Sequence, residues 1–303
     1  SIVAGTGDLY NGVVLPGNGF TSDAKGRVSQ VGDPQVERLF RGLPKGFSRT
    51  LYGGVGPRLG ISWDPLGNGK MAVRAGIGLV QGRSDMEAIT VGLAVYPPFA
   101  TPTVSITNPP VDNPSQGVSP ASLIFPQSFR VADLAYKNPS VVNWHFSIQK
   151  ELPSQIIADV GYVGNQSSHN SRGRSINALT AAQMQALAAV PDTRPYLPYP
   201  GLGGLFSAEP SSSSSYQSLQ VRVNRRFSQG FLFNVSYTLA KAIGDAQDRW
   251  DGSQDPFNPK ADRGYNEDDR RNVLVIHSIY ELPFFKSQRG IPGYVLKGWQ
   301  LSA

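Results

Sequence analysis

The 303-residue sequence contains no cysteine. That excludes a disulfide scaffold, a thiolate-ligated zinc or iron–sulfur site and a thiol nucleophile. No run of about 18 apolar residues exists, so no ordinary transmembrane helix is encoded. Crossing a membrane with strands survives that test. A barrel strand needs only about 9–11 residues, every second one apolar. Charge is sparse: 17% Asp, Glu, Lys and Arg, with a net +6. The surplus gathers into no basic block, so nucleic acid is not an expected partner. The chain opens Ser-Ile-Val-Ala-Gly, with neither a basic n-region nor an apolar h-region. A leader is therefore expected to lie outside it. Gly (33) and Pro (24) are abundant instead, and such turn-rich usage points to an all-β fold.

The informative stretches alternate. In LQVRVNRRFSQGFLFNVSYTLAKA, residues 219–242, Leu219, Val221 and Val223 oppose Gln220, Arg222, Asn224 and Arg226. Beyond Ser228-Gln229-Gly230, Phe231, Phe233, Val235, Tyr237 and Leu239 oppose Asn234, Ser236 and Thr238. A period of two around a short Gly turn is a hairpin. Two more hairpins follow the same rule. Leu59, Ile61 and Trp63 turn at 65–69 into Met71, Val73, Ala75, Ile77 and Leu79. There the opposite face (Ala72, Arg74, Gly76, Gly78) is small and leaves room for a bulky neighbour. Val142, Trp144, Phe146 and Ile148, opposed by Asn143, His145, Ser147 and Gln149, turn at 152–155 into Ile156, Ala158, Val160 and Tyr162. A last clear strand lies in RRNVLVIHSIYELPF, and GWQLSA begins another. Residues 1–56 and the Pro-rich 82–138 read as loop. Residues 164–212 read as a second insert, with a capping box at Thr180 and Gln183 and a staple of Leu179 on Met184.

Alternation alone does not say which face is inside. Loop lengths do. Short turns lie at 65–69, 152–155 and 228–230, and long inserts at 82–138, 164–212 and 243–268. In an up-and-down sheet every second connection lies at the same end, so one end is trimmed and the other elaborate. Outer-membrane barrels have that asymmetry, with short periplasmic turns and long extracellular loops. Aromatics fit the same plan. Trp63, Phe227, Phe231, Phe233, Phe284 and Phe285 lie near short turns, and Tyr162 and Tyr237 towards the other ends, as interfacial girdles would.

Chemical motifs are few. Gly54-Val-Gly56-Pro-Arg-Leu-Gly60 and Gly76-Ile-Gly78-Leu-Val-Gln-Gly82 have the wrong spacing for a dinucleotide loop, and neither opens a helix. His145, His169 and His277 are far apart and make no helical ligand pair. The acidic segment 245–269 offers Asp245, Asp248, Asp251, Asp255, Asp262, Glu267, Asp268 and Asp269. Its spacing is not that of an EF-hand, and solvated acids paired locally with Arg249, Arg263 and Arg270 are the expectation. No catalytic residue, cofactor or metal ligand is expected.

The phrases PRLGISWDPLGNGKMAVRAGIG, NPSVVNWHFSIQKELPSQIIADVGYVGNQSSH, SSYQSLQVRVNRRFSQGFLFNVSYTLAKAIGD, DPFNPKADRGYNEDDRRNVLVIHSIYELPF and GWQLSA occur in that order. Together they resemble the barrel of Oar-like TonB-dependent outer-membrane receptors, whose longer members carry an N-terminal carboxypeptidase-regulatory-like domain and a plug. The resemblance implies an antiparallel up-and-down transmembrane β-barrel segment in the bacterial outer membrane, with about seven strands and an eighth begun. Barrels of this transporter class close with about 22. Residues 1–303 are thus expected to be a partial barrel, with the plug and the TonB-contacting segment outside the sequence. The implied activity is energised uptake of a solute, and the implied partners are outer-membrane lipid, the solute and, through the plug, the inner-membrane TonB complex. A surface or adhesion barrel is the alternative, with a soluble β-rich carbohydrate-binding module behind it. Arg74, His145, Gln149, Gln220, Arg222, Asn224, Arg226, Asn234 and Ser236 are expected to face the lumen. Trp144, Phe146, Ile148, Val221, Val223, Phe231, Phe233, Val235 and Tyr237 are expected to face lipid.

Overall fold

A computed structural model describes residues 14–45, 54–83, 110–114, 116, 127–132, 137–200, 202–248, 252–283, 290, 291 and 298–303. Residues 14–45 are not plain loop. Strand β1 (Leu15–Pro16) pairs in parallel with β2 (Phe40–Leu43), and α1 (Pro34–Glu37) lies between them in sequence. Asp33 caps α1 by accepting from the Gln35 N–H at 2.8 Å, with Pro34 at the first helical position, where a missing N–H costs nothing. Leu15, Val36 and Leu39 form the buried centre, and Phe20 and Phe40 pack edge-to-face beside it. Such a small cluster spaces its apolar residues irregularly, so no period exposes it in the sequence.

The rest is one sheet. Its main path runs β12 (Gln300–Ser302), β11 (Asn272–Glu281), β9 (Phe231–Gly244), β8 (Leu202–Ser228), β7 (Ile156–Ser175), β6 (Ser140–Leu152), β4 (Met71–Gln81) and β3 (Arg58–Trp63). All these neighbours are antiparallel. The path runs in sequence order, as an up-and-down arrangement requires, and it is open at β3 and β12. Two strands lie off it. β5 (Gln127–Ala132) pairs in parallel with the start of β8, and β10 (Gly264–Tyr265) pairs with the end of β9.

The three short turns form as their residues dictate. Gln229 and Gly230 both have positive φ, 54° and 80°, the two-residue turn whose twist matches a hairpin. Ser154 and Gln155 turn the next pair with φ of 63° and 61°. Between β3 and β4, the Asp64 carboxylate accepts from the N–H groups of Leu66, Gly67 and Gly69.

The second insert is shorter than the sequence predicts. β7 continues to Ser175 and β8 begins at Leu202, so the connection is 176–201 and not 164–212. It holds the single short helix foreseen there, α2 (Ala181–Ala186), with Thr180 and Gln183 bonded reciprocally as a capping box. Met184 stays 56% exposed, and Leu179 is buried. β5 likewise corrects the reading of 82–138 as wholly irregular. Its Phe129 is buried with Leu202 and Leu205, against Val131 and Ile176.

The extension beyond residue 164 is irregular in register. A bulge between Ser167 and Asn170 holds His169 at φ 59°, and a compensating one in β8 spans Pro210, between the partners Glu209 and Ser212. A proline lacks the N–H that a ladder needs and is tolerated at such a point.

Candidate functional site

Direct antiparallel partners share a face of the sheet. The register therefore assigns faces residue by residue. One row runs Leu59, Ile77, Trp144 and Gly164; another runs Val73, Ile148, Val160, Val221, Tyr237 and Leu274. Phe146, Tyr162, Leu219 and Leu239 make the row between them, and Val223, Val235 and Ile276 the row nearer the turns. Phe231 and Phe233 close this apolar face beside β11. It is not packed on a second layer of protein: Leu274 and Ile276 are 59% and 61% exposed. A sandwich would bury them. On this face Trp144 lies over Gly164, where an added Cβ would sit 2.6 Å from the indole. The glycine is there because the indole lies flat along the strand, not outward.

The opposite face is polar. Ser62, Arg74, Ser147, Gly161, Gln220 and Thr238 form one row, and Ala72, Gln149, Asp159, Arg222 and Ser236 the next. Asn224, Asn234 and His277 continue it towards the turns, and His145 lies opposite Gly76. The Arg74 guanidinium donates to the Gln149 side-chain oxygen at 2.7 Å. Gly76 is the gap that seats the His145 ring, so the small residues of that face do admit a bulky neighbour. Two departures qualify the pattern. Arg226 falls in a bulge between Arg225 and Ser228, so the register pairs it with no residue and gives it to neither face. β11 is apolar on both sides: Val273, Val275 and Ile279 share the polar face with Thr238, Ser236 and Leu232.

The girdle residues separate into two levels. Near the turns, Phe231 contacts Phe233 at 5.7 Å and Tyr280 at 6.0 Å between ring centroids. Trp63 and Phe227 are 60% and 50% exposed. Phe284 and Phe285 lie outside the described residues. At the far level, the Tyr162 hydroxyl donates to Gln217 at 2.8 Å and the Tyr237 hydroxyl to Asn272 at 2.7 Å. Both tyrosines bond polar residues that end the apolar rows by register, Gln217 opposite Gly164 and Asn272 opposite Leu239.

Past that level the acidic segment folds back onto the long hairpin. Its acids are not simply solvated and locally paired. Asp245, 7% exposed, accepts from Ser212 Oγ at 2.7 Å, Ser213 N at 2.8 Å and Ser213 Oγ at 3.0 Å. Asp262 pairs with Arg172, and Arg172 also donates to the Pro259 carbonyl at 2.8 Å. Asp269 accepts from the Ala242 N–H at 2.7 Å. Arg270 donates to the carbonyls of Glu267 and Asp269, not to a carboxylate, and Arg263 to Ser213 Oγ. Arg249 and Asp251 lie outside the described residues. Among the described residues no three candidate ligands converge on a metal position. A cavity of about 200 Å³ opens here, lined by Arg172, Gly244, Asp245, Gln247, Asp262 and Tyr265 among others. Sequence reasoning missed Arg172, because its partner is 90 residues away and no local pattern links them.

The family model described as outer membrane beta barrel domain matches residues 6–303. No curated protein matches the chain. Among solved structures, the outer membrane transporter YddB from Escherichia coli is similar at TM-score 0.42 and 11% identity, over 75% of this chain and 26% of that one. The ferripyoverdine receptor of the outer membrane of Pseudomonas aeruginosa is similar at TM-score 0.38 and 10% identity, over 78% and 21%. The alcaligin outer membrane receptor FauA from Bordetella pertussis is similar at 0.36 and 9%, over 75% and 26%. The chain thus spans about a quarter of the length of these structures.

Proposed function

The chain belongs to the outer membrane beta barrel domain family, and on that premise we propose that it is a section of the wall of an Oar-like, TonB-dependent receptor. Its place is the bacterial outer membrane. The apolar face meets lipid, the polar face lines the lumen, and the short turns lie on the periplasmic side. One observation carries this reading: from β3 to β9 along the main path the register sorts apolar from polar residues onto opposite faces, with every short turn at one end. Backbone in hydrocarbon must be fully paired, so the open sheet implies further strands that close it.

The solute class is one too large or too scarce for a passive pore. Arg74, Arg222, Gln149, Gln220, Asn224, Asn234 and Ser236 supply a hydrated, hydrogen-bonding wall past which it moves. Transport is a conformational cycle driven through a plug, and no covalent step falls to this chain. The test uses the full-length gene product in its own membrane. Immobilised C-terminal TonB domain is expected to capture it. Failure of capture would remove the receptor reading and leave a surface-binding barrel, because adhesion through the outer loops needs no energy coupling.

A further inference from the structure

By register the apolar face carries Lys241 at its loop end, over the Tyr265 ring, and two cations at the other end. The register pairs Lys150 with Met71 and Ala158, inside the apolar rows, and Arg225 with Ile156 and Phe233. Both sit at the short-turn end of the band. Parity along β8 shows why: Leu219, Val221 and Val223 are followed on the same face by Arg225. A cation inside hydrocarbon is costly, whereas one at the rim reaches the headgroup layer and leaves its stem with the chains.

The Arg225 head is held. Its guanidinium carbon lies 5.7 Å from the centroid of the Phe231 ring, and one terminal nitrogen donates to the Ser228 carbonyl at 3.4 Å. Its Nε is buried and donates to nothing. Phe231 in turn is wedged between Phe233 and Tyr280, so the aromatic rim acts as a fixed platform under the charge. Lys150 stands two strands and two residues away, roughly 12 Å between Cα atoms. Glu151 and Asp159 fall on the polar face by register, and the Glu281 carboxylate lies against Gly230. Two cations and an aromatic rim, with no ion pair to either cation among the described residues, describe a surface for anionic headgroups at an apolar boundary.

We propose that Lys150 and Arg225 form a binding site for the phosphate of an anionic phospholipid at the periplasmic rim of the barrel. This rests on the apolar face meeting lipid. Phosphatidylglycerol is the probe. The full-length gene product, assembled in mild detergent with phosphatidylglycerol and phosphatidylcholine, is expected to retain the anionic lipid in native mass spectra. Lys150→Gln and Arg225→Gln should each lower that retention roughly fivefold. Arg222→Gln, on the opposite face, should leave it unchanged, and Arg225→Lys should keep most of it. Retention equal to the unaltered chain in the Lys150→Gln/Arg225→Gln double variant would overturn the site. So would an equal loss in Arg222→Gln, or displacement of the lipid by inorganic phosphate. Val221→Arg separates the two readings. If it assembles normally, the face assignment itself fails. If it blocks assembly while the double variant still holds phosphatidylglycerol, only the headgroup site fails.

Discussion

From Leu219 to the turn, the β8–β9 hairpin leaves its apolar residues uncovered by protein, while beyond Ser218 the same strands are covered and cross-linked. Leu219 and Leu239 are 42% and 39% exposed. A few residues further along, Ser218, Ser212 and Ser207 are 2–4% exposed, and Arg172 on the neighbouring strand is 2% exposed. The lower part presents a flat two-faced ladder, suited to a solvent that is itself apolar on one side. The upper part buries residues as a protein interior does. It has a small core at Phe129, Leu202 and Leu205, a bidentate Arg174–Glu209 pair at 2.7 and 2.8 Å, and the acidic segment strapped across it. β8 is 27 residues long, so at about 3.3 Å per residue it far exceeds an apolar band about 25 Å tall. One strand therefore answers to two solvents, and the two halves should fail independently.

The strap offers the largest separation. Arg172→Ala would leave Asp262 as an unpaired, mostly buried carboxylate, at a cost of about 3–5 kcal/mol. That loss should stay in the upper half. Limited proteolysis is expected to cut 245–269 rapidly, while membrane assembly, read as heat-modifiable mobility on a gel, is unchanged. Arg172→Met with Asp262→Leu should recover much of the protection, since apolar replacements of a buried pair are often neutral. Loss of assembly in Arg172→Ala would mean that the halves are one cooperative unit.

The band is tested from the other side. Val221→Arg and Val235→Arg should each cost about 2–4 kcal/mol near the bilayer midplane and block assembly, while protease resistance of the strap is unaffected in whatever fraction assembles. Asn234→Arg, on the polar face, should be mild. Equal tolerance of all three in an assembly assay contradicts the assigned faces.

The same division decides what can be read from the residues alone. In the lower half apolar and polar side chains alternate, so period two, the hairpins and the partners Val221–Tyr237 and Val223–Val235 follow from pattern. Above it, apart from the small core at Phe129, Leu202 and Leu205, long stretches are polar on both faces. Stretches such as NQSSHNSRGRS and the serines at 211–215 show no alternation although they are strand, because water accepts either face. β5 and the unit at 14–45 depend on contacts distant in sequence, as does Arg172 with Asp262. Arg226 shows a different limit. Alternation places it with Arg222, but a bulge inserts a residue, and parity is lost from that point. Arg225 was legible by the same parity and is the reason the rim carries charge.

The smallest effect lies at the turn between β3 and β4, just outside the band. The Gly69 N–H, at 2.7 Å, holds the Asp64 carboxyl below its ordinary value. Desolvation opposes this, and the N–H groups of Leu66 and Gly67 add to the lowering. A depressed folded-state value gives a definite sign. The stabilisation is present above the unfolded pKa, about 3.9, and is lost as pH falls through the lower folded value. Asp64→Asn removes the titration. Unaltered chain should therefore exceed the variant in resistance to unfolding at neutral pH, and the difference should close only below about pH 4. Curves that run parallel down to the acid limit would mean that the Asp64 bonds are replaced by water at no loss, and that the turn is held by its glycines at 67 and 69, with φ of 63° and 70°, rather than by the carboxylate.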